Sequence, residues 1–126
     1  MSRASILLAF GLALATAAGP ARPALAVEAP FEPGLMRLAE ILGSLHYLRN
    51  LCGEKGDRWR EEMEKLLASE KPDPERRARF VAHFNRGYRS FATSYGQCTA
   101  SAREAIGRYM KEGADLSRDI ASRYGN

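Results

Sequence analysis

From Pro33 onward the apolar residues recur every three or four positions and never settle into strict alternation with polar ones, a helical rather than a strand pattern. Residues that break helices cut this pattern into four segments. The first opens with Pro33 behind Glu32, runs to about Cys52 and meets Gly53. Leu35, Leu38, Ile41, Leu42, Leu45, Leu48 and Cys52 share one broad face of it. The second, residues 57–69, turns Trp59, Met63, Leu66 and Leu67 inward and Arg58, Glu61, Glu62 and Lys65 outward, and stops at Lys71-Pro72. Asp73 followed by Pro74 is an N-cap with proline at the first helical position, and starts the third segment. Its stripe is aromatic (Phe80, Val81, Phe84, Tyr88, Phe91, Tyr95), and Gly96 is expected to end it. The fourth is expected to open with Ser101 and Glu104 as a capping box and to run to about Tyr124. Ala102, Ala105, Ile106, Tyr109, Gly113, Leu116, Ser117, Ile120 and Tyr124 form its inward face, while Glu104/Arg108, Lys111/Asp115 and Asp119/Arg123 pair at i,i+4 outside.

Short connections between four amphipathic helices predict antiparallel neighbours, hence an all-α, up-down-up-down four-helix bundle. Residues 1–26 are of a different character. Arg3 precedes an apolar and small-residue stretch over residues 6–18, Pro20 and Pro23 follow, and Ala24-Leu25-Ala26 offers a cleavage site before Val27. This is the order of a secretory signal, and the stretch is too short for a membrane span. Two regions result: a signal peptide, 1–26, and a single helical domain, 27–126, with a periplasmic location after cleavage. No span remains once the signal is removed.

Export changes the reading of the two cysteines. In an oxidising compartment Cys52 and Cys98 are expected to form a disulfide, since no Cys-x-x-Cys and no neighbouring histidine argue for a metal. In the bundle both lie at one end, so topology and bridge agree. Export also lowers the charge. The full chain carries 19 basic and 15 acidic residues, and removing Arg3 and Arg22 leaves a net +2, too little to point to nucleic acid.

Candidate chemistry is sparse. His46 and His83 are the only histidines and lack the Glu-x-x-His context of di-iron bundles. The fourth helix has no histidine to ligate haem, and Met110 falls at the edge of its inward face. No cofactor or metal is implied. No GxSxG or HExxH motif occurs, so no catalytic residue is assigned. Arg49 stands out because it falls within the apolar stripe of the first helix. Two readings stay open: a side chain snorkelling from the last turn, or a buried ion-pair or anion site with Glu54 or Asp57 as partner. Arg79, Arg86 and Arg89, flanked by His83, together with Tyr47 opposite the stripe of the first helix, make a candidate binding surface for an anionic envelope component.

The blocks LAEILGSLHYLRNLCG, RRARFVAHFNRGYRSF and AREAIGRYMKEGADLSRDIASRYGN, with the two cysteines between and within them, resemble a family of conserved hypothetical exported helical proteins of alphaproteobacteria. The resemblance spans the domain and implies an envelope location; it carries over no activity, substrate or functional residue. The function expected is a non-enzymatic interaction module of the cell envelope, with an envelope protein or an anionic polymer as partner. The alternative is a small cell-wall-acting enzyme or enzyme subunit using Glu40 or Glu104 for acid–base work.

Overall fold

The computed structural model describes residues 19–20 and 29–125; apart from Gly19 and Pro20, the expected signal lies outside the described residues. Four helices form, α1 (Glu32–Leu51), α2 (Arg58–Glu70), α3 (Pro74–Ala92) and α4 (Ala100–Tyr124), and no strand occurs among the described residues. Paired contacts fix their directions. Glu32 meets Arg76, Glu40 meets Arg86 and Tyr47 meets Tyr95, so α1 and α3 run parallel. Phe31 lies against Tyr124 and Arg37 against Glu112, so α4 runs back along α1. Glu70, at the end of α2, reaches Arg76 beside Glu32, so α2 also runs against α1. The bundle is up-down-up-down.

Its layout is centred on one helix. Among the described residues α1 packs against all three others, α2 adds a slight contact with α3, and the α4 backbone approaches α1 alone. The expected stripe of α1 is buried (Leu35, Ile41, Leu42, Leu45, Leu48), but so is a second face bearing Met36, Ala39 and Gly43. That second face receives α3. At the crossing the backbones touch: a Cβ placed on Gly43 would strike the Phe84 carbonyl oxygen, and one on Gly87 the Glu40 carbonyl oxygen. Only glycine permits this approach. Phe80, fully buried, anchors the same interface.

Tyr47 lies on this second face, not on an open one. Its ring packs edge-on against Tyr88 at 5.3 Å, and its hydroxyl donates to the Tyr95 carbonyl. Two polar seams lock the helices together. Glu32, 5% exposed, accepts from Nε and one terminal nitrogen of Arg76, each at 2.7 Å, and that terminal nitrogen also reaches Glu70 at 3.2 Å, joining α1, α3 and α2. The bond to Glu32 is the main reason the Arg76 guanidinium is pushed above its ordinary pKa, against the opposing pull of burial. The second seam runs Arg86–Glu40–Arg37–Glu112 at 2.6, 3.1 and 2.8 Å and ties α3 through α1 to α4.

The caps explain the helix ends. Asp73 accepts from the Arg76 N–H at 2.7 Å, as the Asp-Pro signal predicts. The start of α4 differs from expectation: the cap is Thr99, whose hydroxyl accepts from the Ala102 N–H at 3.1 Å, so Ser101 is already helical. Helix α3 ends at Ala92, ahead of Gly96. Ser90, Thr93 and Ser94 turn their hydroxyls onto backbone carbonyls of the last turn, an arrangement that competes with helix continuation. Cys52 and Cys98 are joined with a Cα–Cα distance of 4.9 Å, tying the end of α1 to the start of α4.

Candidate functional site

The turn after α1 contains Gly53 and Gly56, both at φ 101°, a conformation that favours glycine, and it reverses the chain into α2. Trp59, Met63 and Leu67 then hold α2 on α1. At the far end Lys71 takes the left-handed conformation (φ 45°) and Pro72 blocks further helix, so α3 starts at once. Because α2 and α3 barely touch each other, a groove of about 440 Å³ is left between them. Its apolar surface comes from Met63 and Leu67 on one wall and Val81, Phe84 and Tyr88 on the other. His46 of α1 forms part of the lining, its ring 5.9 Å from Phe84 and 5.7 Å from Tyr88. Val81 and Tyr88 are 39% and 38% exposed, large side chains left uncovered at the groove edge. An apolar strip of Pro74, Ala78 and Ala82 continues from Val81 across the outer side of α3.

Charge around the groove is uneven. Arg60 on α2 and Arg77 on α3 line it, and Arg89 closes the adjoining strip. Among the described residues none of the three has a carboxylate partner, although most other arginines of the domain do. Glu64 is the one carboxylate in the lining, and Asn85 adds an amide. An apolar floor with unneutralised guanidinium groups at its edge suits a ligand that is apolar on one side and negatively charged on the other.

The residues singled out from sequence fall in different places. Arg49 is about one-third exposed and pairs with Glu54, so it combines both readings: a last-turn position with an internal partner. Arg79 and Arg86 lie on another side of α3 from the groove lining, more than half exposed; Arg79 stands 3.8 Å from Glu75 and Arg86 2.6 Å from Glu40. His83 joins them, its Nδ1 3.2 Å from Arg86 and 3.8 Å from Glu40. Of Arg49 and the four residues assigned to a binding surface, Arg89 alone lacks an internal partner among the described residues. Arg60 and Arg77 were not distinguishable from ordinary surface charges in the sequence. Their signal is the missing partner, which needs the fold.

Glu40 lies in the Arg86–Arg37 seam and Glu104 is exposed in the N-terminal part of α4; neither lines the groove. Among the described residues no group of three or more His, Cys, Asp or Glu is placed to hold a metal, and no helix is long and apolar enough to cross a membrane.

Fold and groove together define a small disulfide-tied helical domain with an amphipathic groove. A family model described as "Protein of unknown function (DUF2385)" matches residues 30–124, and the chain belongs to that family. Comparison with curated proteins finds no match, and comparison with solved structures finds none either.

Proposed function

We propose that the domain is a non-catalytic binding module of the bacterial envelope that holds an anionic, partly apolar partner in the groove between α2 and α3. The observation that carries this reading is the set of three arginines, Arg60, Arg77 and Arg89, gathered around exposed Val81 and Tyr88, none of them in a salt bridge among the described residues. A guanidinium placed beside apolar surface is weakly hydrated and binds carboxylate or phosphate oxygens with paired hydrogen bonds, so the groove gains most from a partner bringing both features. Export supports the same reading. A single disulfide between the only two cysteines fits an oxidising compartment, and the signal-like start of the chain would deliver it there. The partner is then an envelope protein or an anionic envelope polymer.

Retention on lipopolysaccharide, on peptidoglycan fragments and on acidic envelope proteins tests this directly. The double reversal Arg60→Glu/Arg77→Glu should abolish retention. Reversal of Arg118 and Arg123, which already pair with Asp115 and Asp119 on the outer side of α4, should leave it intact. Retention should also weaken with added salt. Equal loss from both double reversals, or no loss from either, would remove the groove from the reading.

A further inference from the structure

A second opening lies on the other flank of α2. The α2 and α4 backbones do not approach each other, and the space between their side chains is a cleft of about 330 Å³. Leu38, Ile41 and Leu42 of α1 line it from below, with Trp59 on one wall and Met110 and Ala114 on the other. Most of the lining side chains are apolar, and one of them, Trp59, carries a donor without an acceptor. Trp59 is 8% exposed and its Nε1–H is the one buried side-chain polar atom among the described residues with no hydrogen-bond partner. Buried indole N–H groups ordinarily find an acceptor. Beside it the Arg58 guanidinium stands 4.9 Å from the centre of the indole ring and, among the described residues, has no carboxylate partner.

We infer that the cleft between α2 and α4 binds a small monocarboxylate with an apolar chain, the carboxylate lying by Trp59 and Arg58 and the chain over the α1 leucines and isoleucine. The lining sets the ligand's character. One orphan donor and one unpaired cation match a single anionic head. Glu62 at the same opening, already engaged by Lys65 at 2.9 Å, disfavours a more highly charged head such as a phosphate. Tyr109 to Ser117, the stretch of α4 along the cleft, rises by about 12 Å, the reach of a medium-length alkyl chain. This site shares no lining residue with the α2–α3 groove, so it stands or falls independently of the function proposed above.

Trp59 is the chain's single tryptophan, so its fluorescence reports on the cleft without interference. Oxidised protein is titrated with decanoate and with a decanoate brominated at the carbon next to the carboxylate, whose heavy atom quenches an indole it touches. The expected result is a saturable change with the first and saturable quenching with the second. Ala114→Phe, at an exposed position of α4, fills the cleft and should weaken both at least about tenfold. Ser117→Phe serves as a second blocking variant if the first loses its helical circular dichroism. Arg58→Gln should weaken decanoate but not decanol, and Arg60→Glu/Arg77→Glu should change neither. No saturable response, or a response undiminished in the blocking variants, would overturn the assignment.

Discussion

The contact between α1 and α3 leads to paired substitutions with opposite signs. At Gly43 and Gly87 an added methyl would fall well inside 3.0 Å of a backbone carbonyl on the facing helix, and at Gly87 it would also sit 2.8 Å from the Ser44 hydroxyl. The two carbonyls belong to backbone and not to flexible side-chain ends, so the helices have to part by on the order of 1 Å. Such a gap forfeits a quarter to a half of the dispersion energy of atoms across it, here those around Phe80. Overpacking of this kind costs about 1–3 kcal/mol, and the rigid backbone obstacle puts it at or beyond the upper end. The better helix propensity of alanine returns about 1 kcal/mol. Gly43→Ala and Gly87→Ala should therefore each destabilise by about 2 kcal/mol, lowering Tm by roughly 8–16 °C for a domain of this size. Gly107 is the internal control. It is exposed in α4 with nothing within 4 Å of an added Cβ, so Gly107→Ala keeps the propensity gain and should raise Tm by a few degrees. Thermal melts followed by circular dichroism at 222 nm decide the matter. A Gly87→Ala protein that melts with or above the parent would refute the close crossing, and with it the central position of α1.

Replacing both cysteines by serine removes a link with a sequence separation of 46, worth roughly 4 kcal/mol in the chain-entropy description, and denaturant melts of the oxidised parent and the double variant should differ by about that amount. Glu32→Ala leaves Arg76 with only Glu70 in a largely buried setting and should cost about 3 kcal/mol; adding Arg76→Met should recover much of the loss, and urea titrations of the single and double variants give the comparison. Hydrogen bonding from Arg37 holds the Glu112 carboxyl below its ordinary pKa. Its contribution to stability is therefore complete above the unfolded carboxylate range and is lost as pH falls through the lower folded value, so Glu112→Gln should flatten part of the acid limb of a stability–pH profile and leave its slope near neutrality unchanged.

Much of the fold was legible because its signals are local. Proline at the start of α1, the Asp73-Pro74 pair and the 3.6-residue recurrence of leucines and aromatics act within one or two turns, and they located four helices to within a few residues. The cysteines were legible through topology, since an up-down-up-down order brings the end of α1 beside the start of α4. The α4 cap was misplaced because Thr99 and Ser101 offer the same hydroxyl two residues apart, and only the backbone geometry selects between them. The second buried face of α1 escaped notice for a different reason. Gly43, Ala39 and Ser44 contribute little to an apolar pattern, yet their smallness is what lets α3 approach. Two glycines in helix interiors, Gly43 and Gly87, were the available sign, since glycine there costs helix stability and is retained where something must come close.

The groove was less legible than the core. Arg60, Arg77 and Arg89 stand on two successive helices, and what separates them from Arg76 or Arg86 is the absence, among the described residues, of a partner supplied by another helix. Val81 read as a core position because it continues the stripe of Phe80 and Phe84, but the gap between α2 and α3 leaves it at the surface. Long-range pairings of this sort leave no periodic trace.

The claim that this groove is the working surface is tested most directly by site-specific photocrosslinking in the cells that make the protein. A photoreactive phenylalanine analogue is placed at Val81 inside the groove or at Arg118 on the outer side of α4. The expected result is one discrete adduct from position 81 that disappears when Arg60 and Arg77 are reversed to glutamate, and none from position 118. The same adducts from both positions, or an adduct at 81 indifferent to the charge reversal, would contradict it.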